Sequence, residues 1–399
     1  MRKLLFSLCL AAALLSGRAA AQNGVVQALN AIPDGEPDPA RIAVENSVLD
    51  AVTLLDAGDV ASASAILDSL DRSCPQDAAV QYYLGLCKYA QNDIAATMDR
   101  FEKAAALDST NLWYKEVLAN LYIGTGEAER AGELFEVLSI ANPARFRTAY
   151  TLALMADAYR MKRNYKGFFN TLGDLVEAED ADEEMKYRAL MGALGNFDRR
   201  TFNALLPQMD TLMRRFTEAE PSSVKAHQLR MEIANSLSNY DLVISECERL
   251  MELQASDKEQ VVTCLSIIGD TYYHQGDTRK AYKTYEKALK IIPDYCPVLN
   301  NYAYFLSQQV RRLGKAEKMS RITIEKEPDN ATYLDTYGWI LFLRGKSKQA
   351  KPYFKHAMLY GGKDSAVVLM HYSLVLKALG EDDLATYYRT LAENKKQQQ

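Results

Sequence analysis

Small and aromatic residues recur along this chain at intervals of 34 residues. Gly58, Asn92 and Gly126 keep this interval, and so do three further sets: Ala63, Thr97 and Ala131; Leu67, Phe101 and Phe135; Leu70, Ala104 and Leu138. The pattern returns downstream in two further groups: Gly276, Ala281, Tyr285, Ala288 and Pro293, then Gly345, Ala350, Phe354 and Ala357. A fixed period of this length is typical of a repeat array, in which each unit packs only against its neighbours.

Residues 262–295 show what one repeat contains. Gly269 and Tyr272 mark one face of a predicted first helix, Gly276 marks a turn, and Ala281 and Tyr285 mark the facing side of a second helix. A small residue at the crossing lets two helices approach, while a glycine in the turn can take the left-handed conformation that ends a helix. The sequence therefore predicts helical hairpins that must stack to bury their apolar faces.

This pattern of small and aromatic positions resembles the tetratricopeptide repeat. The resemblance implies an all-α fold, a right-handed α-α superhelix of about ten helical hairpins. We place the copies at 44–77, 78–111, 112–145, 149–182, 183–223, 224–258, 262–295, 296–330, 331–365 and 366–395. The block LDTYGW at 334–339 resembles that of an exported bacterial subgroup of these proteins.

The repeat pattern weakens in the middle of the chain. Phe168 takes the place of a small residue, the copy at 183–223 lacks a clear pattern, and Pro207 interrupts a helical apolar spacing. We expect a signal peptide at 1–21, a flexible leader at 22–41, and a tail at 396–399. Between them we expect an N-terminal array at 42–182, a divergent helical-hairpin segment at 183–258, and a C-terminal array at 259–395. Whether 183–258 continues the superhelix stays open at this stage.

The first residues predict export. Arg2 and Lys3 precede an apolar run from Leu4 to Leu15, and Ala19-Ala20-Ala21 follows, which is the order of a secretory signal. Cleavage after Ala21 would place the protein in the periplasm or at the cell surface. It would also leave 44 basic and 52 acidic residues, a net charge of −8, because the signal carries three of the 47 basic residues. We expect no nucleic-acid binding and no membrane insertion, and oligomeric state stays open.

The sequence carries no motif for catalysis, a cofactor or a metal. Four histidines occur, His227, His274, His356 and His371, and none forms HExxH. Five cysteines remain after the predicted cleavage, of which Cys247 and Cys264 lie on adjacent predicted helices. The odd number and the spacing favour apolar packing over a metal site, and a Cys247–Cys264 disulfide stays open. We therefore predict a protein that is not an enzyme.

The resemblance also implies a concave groove, lined by the first helix of each hairpin, that binds a peptide or partner protein. Carried over copy by copy, the groove positions are Tyr82, Tyr89, Trp113, Glu116, Asn120, Tyr150, Asp157, Arg160, Ser266, Asp270, Tyr273, Asn300, Tyr304, Asp335, Trp339 and Phe342. These aromatic and acidic residues favour a neutral or basic ligand.

Three alternatives stay open at this stage. Many of the rings could pack between neighbouring helices instead of facing a groove. The rings could also stack on sugars, which would make the protein a glycan or nutrient binder of the envelope. An enzyme could hide its carboxylates in the divergent middle.

Overall fold

The structure, a computed structural model, describes residues 38–398. The predicted signal peptide and all but the last residues of the predicted leader lie outside this range. Within this range the first helix begins at Pro39, inside the segment expected to be leader. Asp38 caps it and proline occupies its first turn, where the missing N–H would have no partner in the helix anyway.

The chain divides into two compact units between Ala204 and Leu205. Ten α-helices lie wholly within the described part of the first unit. They are α1 (Pro39–Asp56), α2 (Val60–Ser73), α3 (Ala78–Ala90), α4 (Ile94–Leu107), α5 (Leu112–Thr125), α6 (Ala128–Ala141), the short α7 (Pro143–Phe146), α8 (Ala149–Met161), α9 (Tyr165–Glu177) and α10 (Glu183–Leu194). The next helix, α11 (Arg199–Ala219), crosses the division and continues through Pro207.

The second unit contains ten further α-helices up to residue 398. They are α12 (Val224–Ser236), α13 (Tyr240–Leu253), α14 (Lys258–His274), α15 (Thr278–Ile291), α16 (Cys296–Gln308), α17 (Leu313–Lys326), α18 (Ala331–Leu343), α19 (Ser347–Leu359), α20 (Ala366–Ala378) and α21 (Asp382–Gln398). A 3₁₀ turn at Gly362–Asp364 separates α19 from α20. The all-α class and the pairwise packing of successive helices are confirmed.

Turns of one kind join the two helices in several of the hairpins. Gly58 and Gly276 have positive φ angles of +84° and +85°, and Asn92 takes the same region with φ 62°. An aspartate follows each of these residues and caps the next helix through its side chain. The left-handed residue closes one helix and the aspartate opens the next, which explains the fixed spacing of this pair along the chain.

Aromatic rings on the second helix of a hairpin pack against small residues on the first helix. A Cβ atom added at Gly269 would lie 2.4 Å from the ring of Tyr285, and one added at Gly338 would lie 2.7 Å from Phe354. Gly85 and Phe101 have the same relationship at 2.5 Å. At these positions only a residue without a side chain leaves room for the ring. The 34-residue period therefore reflects a close contact between two helices that recurs along the chain.

The segment at 183–258 is helical throughout most of its length. Its apolar residues from Leu205 to Phe216 are buried along one face of α11, and α12 packs with α13 as a hairpin. None of the helices in residues 38–398 combines the length and the apolar character that a membrane span requires.

Candidate functional site

A cavity of about 770 Å³ opens in the second unit. Its walls come from the first helices of three successive hairpins, α14, α16 and α18, together with the turn between α19 and α20 and the start of α20. Its lining residues are Asp270, His274, Asn300, Asn301, Tyr304, Phe305, Asp329, Asn330, Ala331, Thr332, Asp335, Thr336, Tyr360, Gly361, Gly362, Ser365, Val367 and Val368. Of the predicted groove residues, it brings together Asp270, Asn300, Tyr304 and Asp335. Among these lining residues there are three aspartates and neither a lysine nor an arginine.

Asp270 is held in the wall by two donors from different helices. The hydroxyl of Tyr285 donates to Oδ1 of Asp270, and Nδ2 of Asn301 lies 3.1 Å from Oδ2. Burial raises the pKa of Asp270, while the hydrogen bonds from Tyr285 and Asn301 act in the opposite direction. The close approach of Tyr285 to Gly269 is what brings its hydroxyl within reach of the neighbouring Asp270.

The amide orientation of Asn301 fixes that of Asn300. Because Nδ2 of Asn301 donates to Asp270, its Oδ1 is the atom that faces Asn300, and Nδ2 of Asn300 donates to it at 3.3 Å. Oδ1 of Asn300 is then left over. Asn300 is 5% exposed, and no donor in the described part of the chain lies within hydrogen-bond distance of this buried oxygen. A buried carbonyl oxygen without a donor costs free energy, and a bound donor would remove that cost.

Asp335 is the second buried acceptor. Nδ1 of His371 lies 3.0 Å from Oδ1 and 3.1 Å from Oδ2 of Asp335, so one ring N–H serves both oxygens. Asp335 is 5% exposed. A carboxylate has about four acceptor positions, so this single donor leaves most of its capacity unused.

Aromatic rings pack on one another beside these acceptors. Tyr273 stacks on Phe305 with ring centroids 3.7 Å apart, and Trp339 stacks on His371 at 4.0 Å. Trp339 also stacks on Phe342, so two predicted groove residues pack together instead of lining the cavity. Burial, with smaller contributions from Asp335 and Tyr273, raises the pKa of Tyr304, so this phenol stays neutral and can donate a hydrogen bond.

The rim of the cavity on the α19–α20 side is apolar. Tyr360 and Val367 line it and remain 49% and 46% exposed. The cavity therefore combines acidic acceptors in its wall with apolar area at its edge.

The predicted groove residues of the first unit have other surroundings. Tyr82 is buried: its hydroxyl accepts a hydrogen bond from Nε1 of Trp113 at 2.9 Å, and its ring stacks on Phe101. Tyr82 therefore belongs to the core, as expected if some of these rings pack between helices. Glu116 forms a two-point ion pair with Arg145, at 2.8 and 2.9 Å, and burial raises its pKa against the effect of that arginine.

The remaining predicted residues of the first unit lie closer to solvent. Asp157 pairs with Arg160 three residues later, and Asp157 borders a small cavity of about 180 Å³ lined mostly by alanines. Tyr89 and Asn120 are half-buried, and Tyr150 is exposed. Ser266 of the second unit is buried.

The repeat pattern in the sequence did not predict several residues of the cavity. These residues are Asn301, His371, Tyr360 and Val367, which line the cavity or hydrogen-bond to its lining residues. The sequence identified His371 only as one of four histidines that form no HExxH motif. Asn301 is adjacent in the sequence to a predicted groove position, and this adjacency could have identified it as a cavity residue. In residues 38–398, no three His, Cys, Asp or Glu side chains gather in a way that could hold a metal ion.

The C-terminal part of the chain matches a protein-family model. The model is described as tetratricopeptide repeat, and the match covers residues 219–398, which include every residue of the cavity. Among curated proteins, the chain is 24% identical over 170 residues to "DnaJ protein P58IPK homolog A" of Oryza sativa subsp. japonica, covering 40% of this chain and 34% of that protein. It is also 24% identical over 146 residues to human "Protein O-mannosyl-transferase TMTC1", covering 36% of this chain and 16% of that protein. The chain therefore matches about a third or less of the length of these relatives.

Solved structures with a similar fold include yeast Tom70, with 12% identity, a TM-score of 0.39, and coverage of 90% of this chain and 96% of that chain. A tetratricopeptide repeat protein from Parabacteroides merdae is similar with 17% identity, a TM-score of 0.26, and coverage of 84% and 98%.

Proposed function

We propose that this tetratricopeptide repeat protein is a non-enzymatic scaffold that binds a segment of another protein in the cavity formed by α14, α16, α18 and α20. The observation that carries the proposal is the buried Oδ1 of Asn300, which has no hydrogen-bond partner in residues 38–398 and lies in the wall of a cavity lined by helices of four successive hairpins. A volume of about 770 Å³ lies in the range that suits a small ligand or a few residues of a peptide. Stacked repeats commonly offer such concave surfaces to partners.

The arrangement of the rings favours a peptide over a sugar. A sugar-binding ring must present an open face to the cavity, but Tyr273 stacks on Phe305 and Trp339 stacks on other rings, and neither is among the lining residues. The polar groups of the wall, in contrast, are separated along successive helices. An extended peptide can contact several of these helices at once, so the cavity suits a peptide better.

Site-specific photocrosslinking tests the proposal. A photoreactive amino acid placed at Val367, on the rim, should capture a discrete protein in cells. The same group at Tyr387, which is 58% exposed on α21 and outside the cavity lining, should not capture it. Tyr304→Ala combined with the Val367 probe should abolish the product. Identical products at both positions, or none at Val367, would contradict the proposal.

We propose further that the scaffold acts in the bacterial envelope after export. The support is the basic, apolar and small-residue order of residues 1–21. Amino-terminal sequencing of the protein from fractionated cells should give Gln22 as the first residue, in the envelope or the medium. Recovery from the cytosol with Met1 retained would overturn the proposed location without affecting the binding proposal.

A further inference from the structure

We propose that the cavity recognises a cationic side chain, lysine or arginine, of the bound segment, with Oδ1 of Asn300 and the carboxylate of Asp335 as its acceptors. The inference rests on the proposed function and specifies the ligand of the same site. It depends on which polar atoms of the wall are already engaged and which are not.

The hydrogen bonds of the wall run in one direction and end in an acceptor. Tyr285 and Asn301 donate to Asp270, and Asn300 donates to Asn301. Rotating the Asn300 amide would place two carbonyl oxygens against each other, so its Oδ1 remains the unengaged atom. An N–H group of the ligand is the complement that this oxygen requires.

The charge of the wall selects among N–H donors. The lining carries Asp270, Asp329 and Asp335 and, among its described residues, no lysine or arginine. Asp329 lies 2.8 Å from His356 and is exposed, whereas Asp335 is buried and, within residues 38–398, has only the His371 N–H as donor. A buried carboxylate with spare acceptor capacity in the same cavity lining as an unengaged carbonyl favours an ammonium or guanidinium over a neutral amide.

The apolar rim predicts which residues lie next to the cationic residue in the bound segment. Tyr360 and Val367 are half-exposed at the edge of the same cavity, so apolar neighbours of the cationic residue would find contact area there. The expected recognition element is therefore a lysine or arginine between apolar residues in an extended segment.

Blocked pentapeptides test this without knowledge of the natural partner. The probes are acetyl-Ala-Leu-Xaa-Leu-Ala-amide with lysine, arginine, norleucine or glutamate at Xaa, titrated into the full chain by NMR or calorimetry. The lysine or arginine peptide should bind at least about tenfold more tightly than the norleucine peptide, a factor typical of one charged hydrogen bond. Equal affinity of all four peptides, or preference for glutamate, would overturn the inference.

Two variants locate the acceptors. Asp335→Asn and Asn300→Leu should each reduce the affinity for the cationic peptide about tenfold and leave that for the norleucine peptide within about twofold. Asp383→Asn removes one negative charge from an exposed position of α21 and should change neither value, which controls for long-range electrostatics. If Asn300→Leu fails to fold, the isosteric Asp335→Asn still decides.

The two proposals fail differently. A specific crosslink at Val367 together with no preference for cationic peptides would keep the binding function and reject the cationic ligand. A cationic preference that Asp335→Asn leaves unchanged would reject the assigned acceptors. Tighter binding of lysine than arginine, or the reverse, identifies which cation the site prefers.

Discussion

The hydroxyl of Tyr285 donates a hydrogen bond to the carboxylate of Asp270, one residue beyond the glycine against which the tyrosine ring packs. The ring fills the space within the hairpin, and the hydroxyl reaches through to the cavity wall. One side chain thus connects the packing position of the repeat with the wall of the cavity.

Tyr285→Phe should destabilise α14 and α15 by about 1–3 kcal/mol, because it leaves a partly buried carboxylate with one donor fewer. Hydrogen–deuterium exchange of peptides from these two helices measures the effect. Tyr282→Phe is the matched control, since its hydroxyl makes only a long 3.5 Å contact with the carbonyl of Phe305. Equal effects of both variants would contradict the assignment.

The same pair predicts a pH dependence. The pKa of Asp270 is raised by burial, so the folded state holds its proton more strongly than the unfolded state. The stability contribution of this group should therefore fall as pH rises through its folded pKa, above about pH 4. Loss of the Tyr285 donor raises that pKa further, so the defect of Tyr285→Phe should be larger at pH 7 than at pH 4.

Gly269→Ala should destabilise the same hairpin by about 1–3 kcal/mol, because the new methyl group would lie 2.4 Å from the ring of Tyr285. Gly314→Ala provides the control. Nothing lies within 4 Å of a Cβ atom at Gly314, and the residue is in the first turn of α17, so alanine should be neutral or stabilising by up to about 1 kcal/mol. Urea unfolding of both variants checks the pair, and a destabilised Gly314→Ala would show that the close contact is not the cause.

Contacts that recur with the period could be predicted, and those that occur once could not. The small position at Gly269 and the ring at Tyr285 repeat in other copies, so their spacing identified helices that meet. The hydrogen bond between Asp335 and His371 joins two copies across 36 residues, and it does not recur in the other copies that the structure describes. Tyr82 illustrates the opposite case. Its position on the helix predicts that it lines the groove, but Trp113 and Phe101 enclose its side chain.

Glu317 links two hairpins through its ion pairs, and we expect the stabilisation from this link to be sensitive to acid. Burial alone would raise its pKa, but the hydrogen bond from Lys346 and the charge of Arg344 hold the pKa below its ordinary value. Its stabilisation should be present above about pH 4.3 and be lost as pH falls through the lowered pKa.

Glu317→Gln should cost about 1–2 kcal/mol at pH 7, a value reduced because Arg344 and Lys346 are about one third exposed. Thermal unfolding from pH 7 to pH 2 measures the difference between wild type and variant, which should shrink at the acid end. Glu325→Gln, at an exposed position of the same helix, should leave stability unchanged. A difference in stability between wild type and variant that persists at pH 2 would mean that the packing of the side chain, and not its charge, stabilises this contact.

The cysteines of residues 38–398 should differ in reactivity according to burial. Cys247 and Cys264 are buried free thiols on α13 and α14, and the Cys264 thiol together with burial raises the pKa of Cys247. Because the thiolate is the reactive form, Cys247 should resist a bulky alkylating reagent in the folded protein, whereas the half-buried Cys74 should react first. Mass-spectrometric peptide mapping under reducing conditions follows each site, and unfolding in guanidinium should equalise the rates to within a few fold. Native alkylation of Cys247 as fast as that of Cys74 would contradict the packing of α13 against α14.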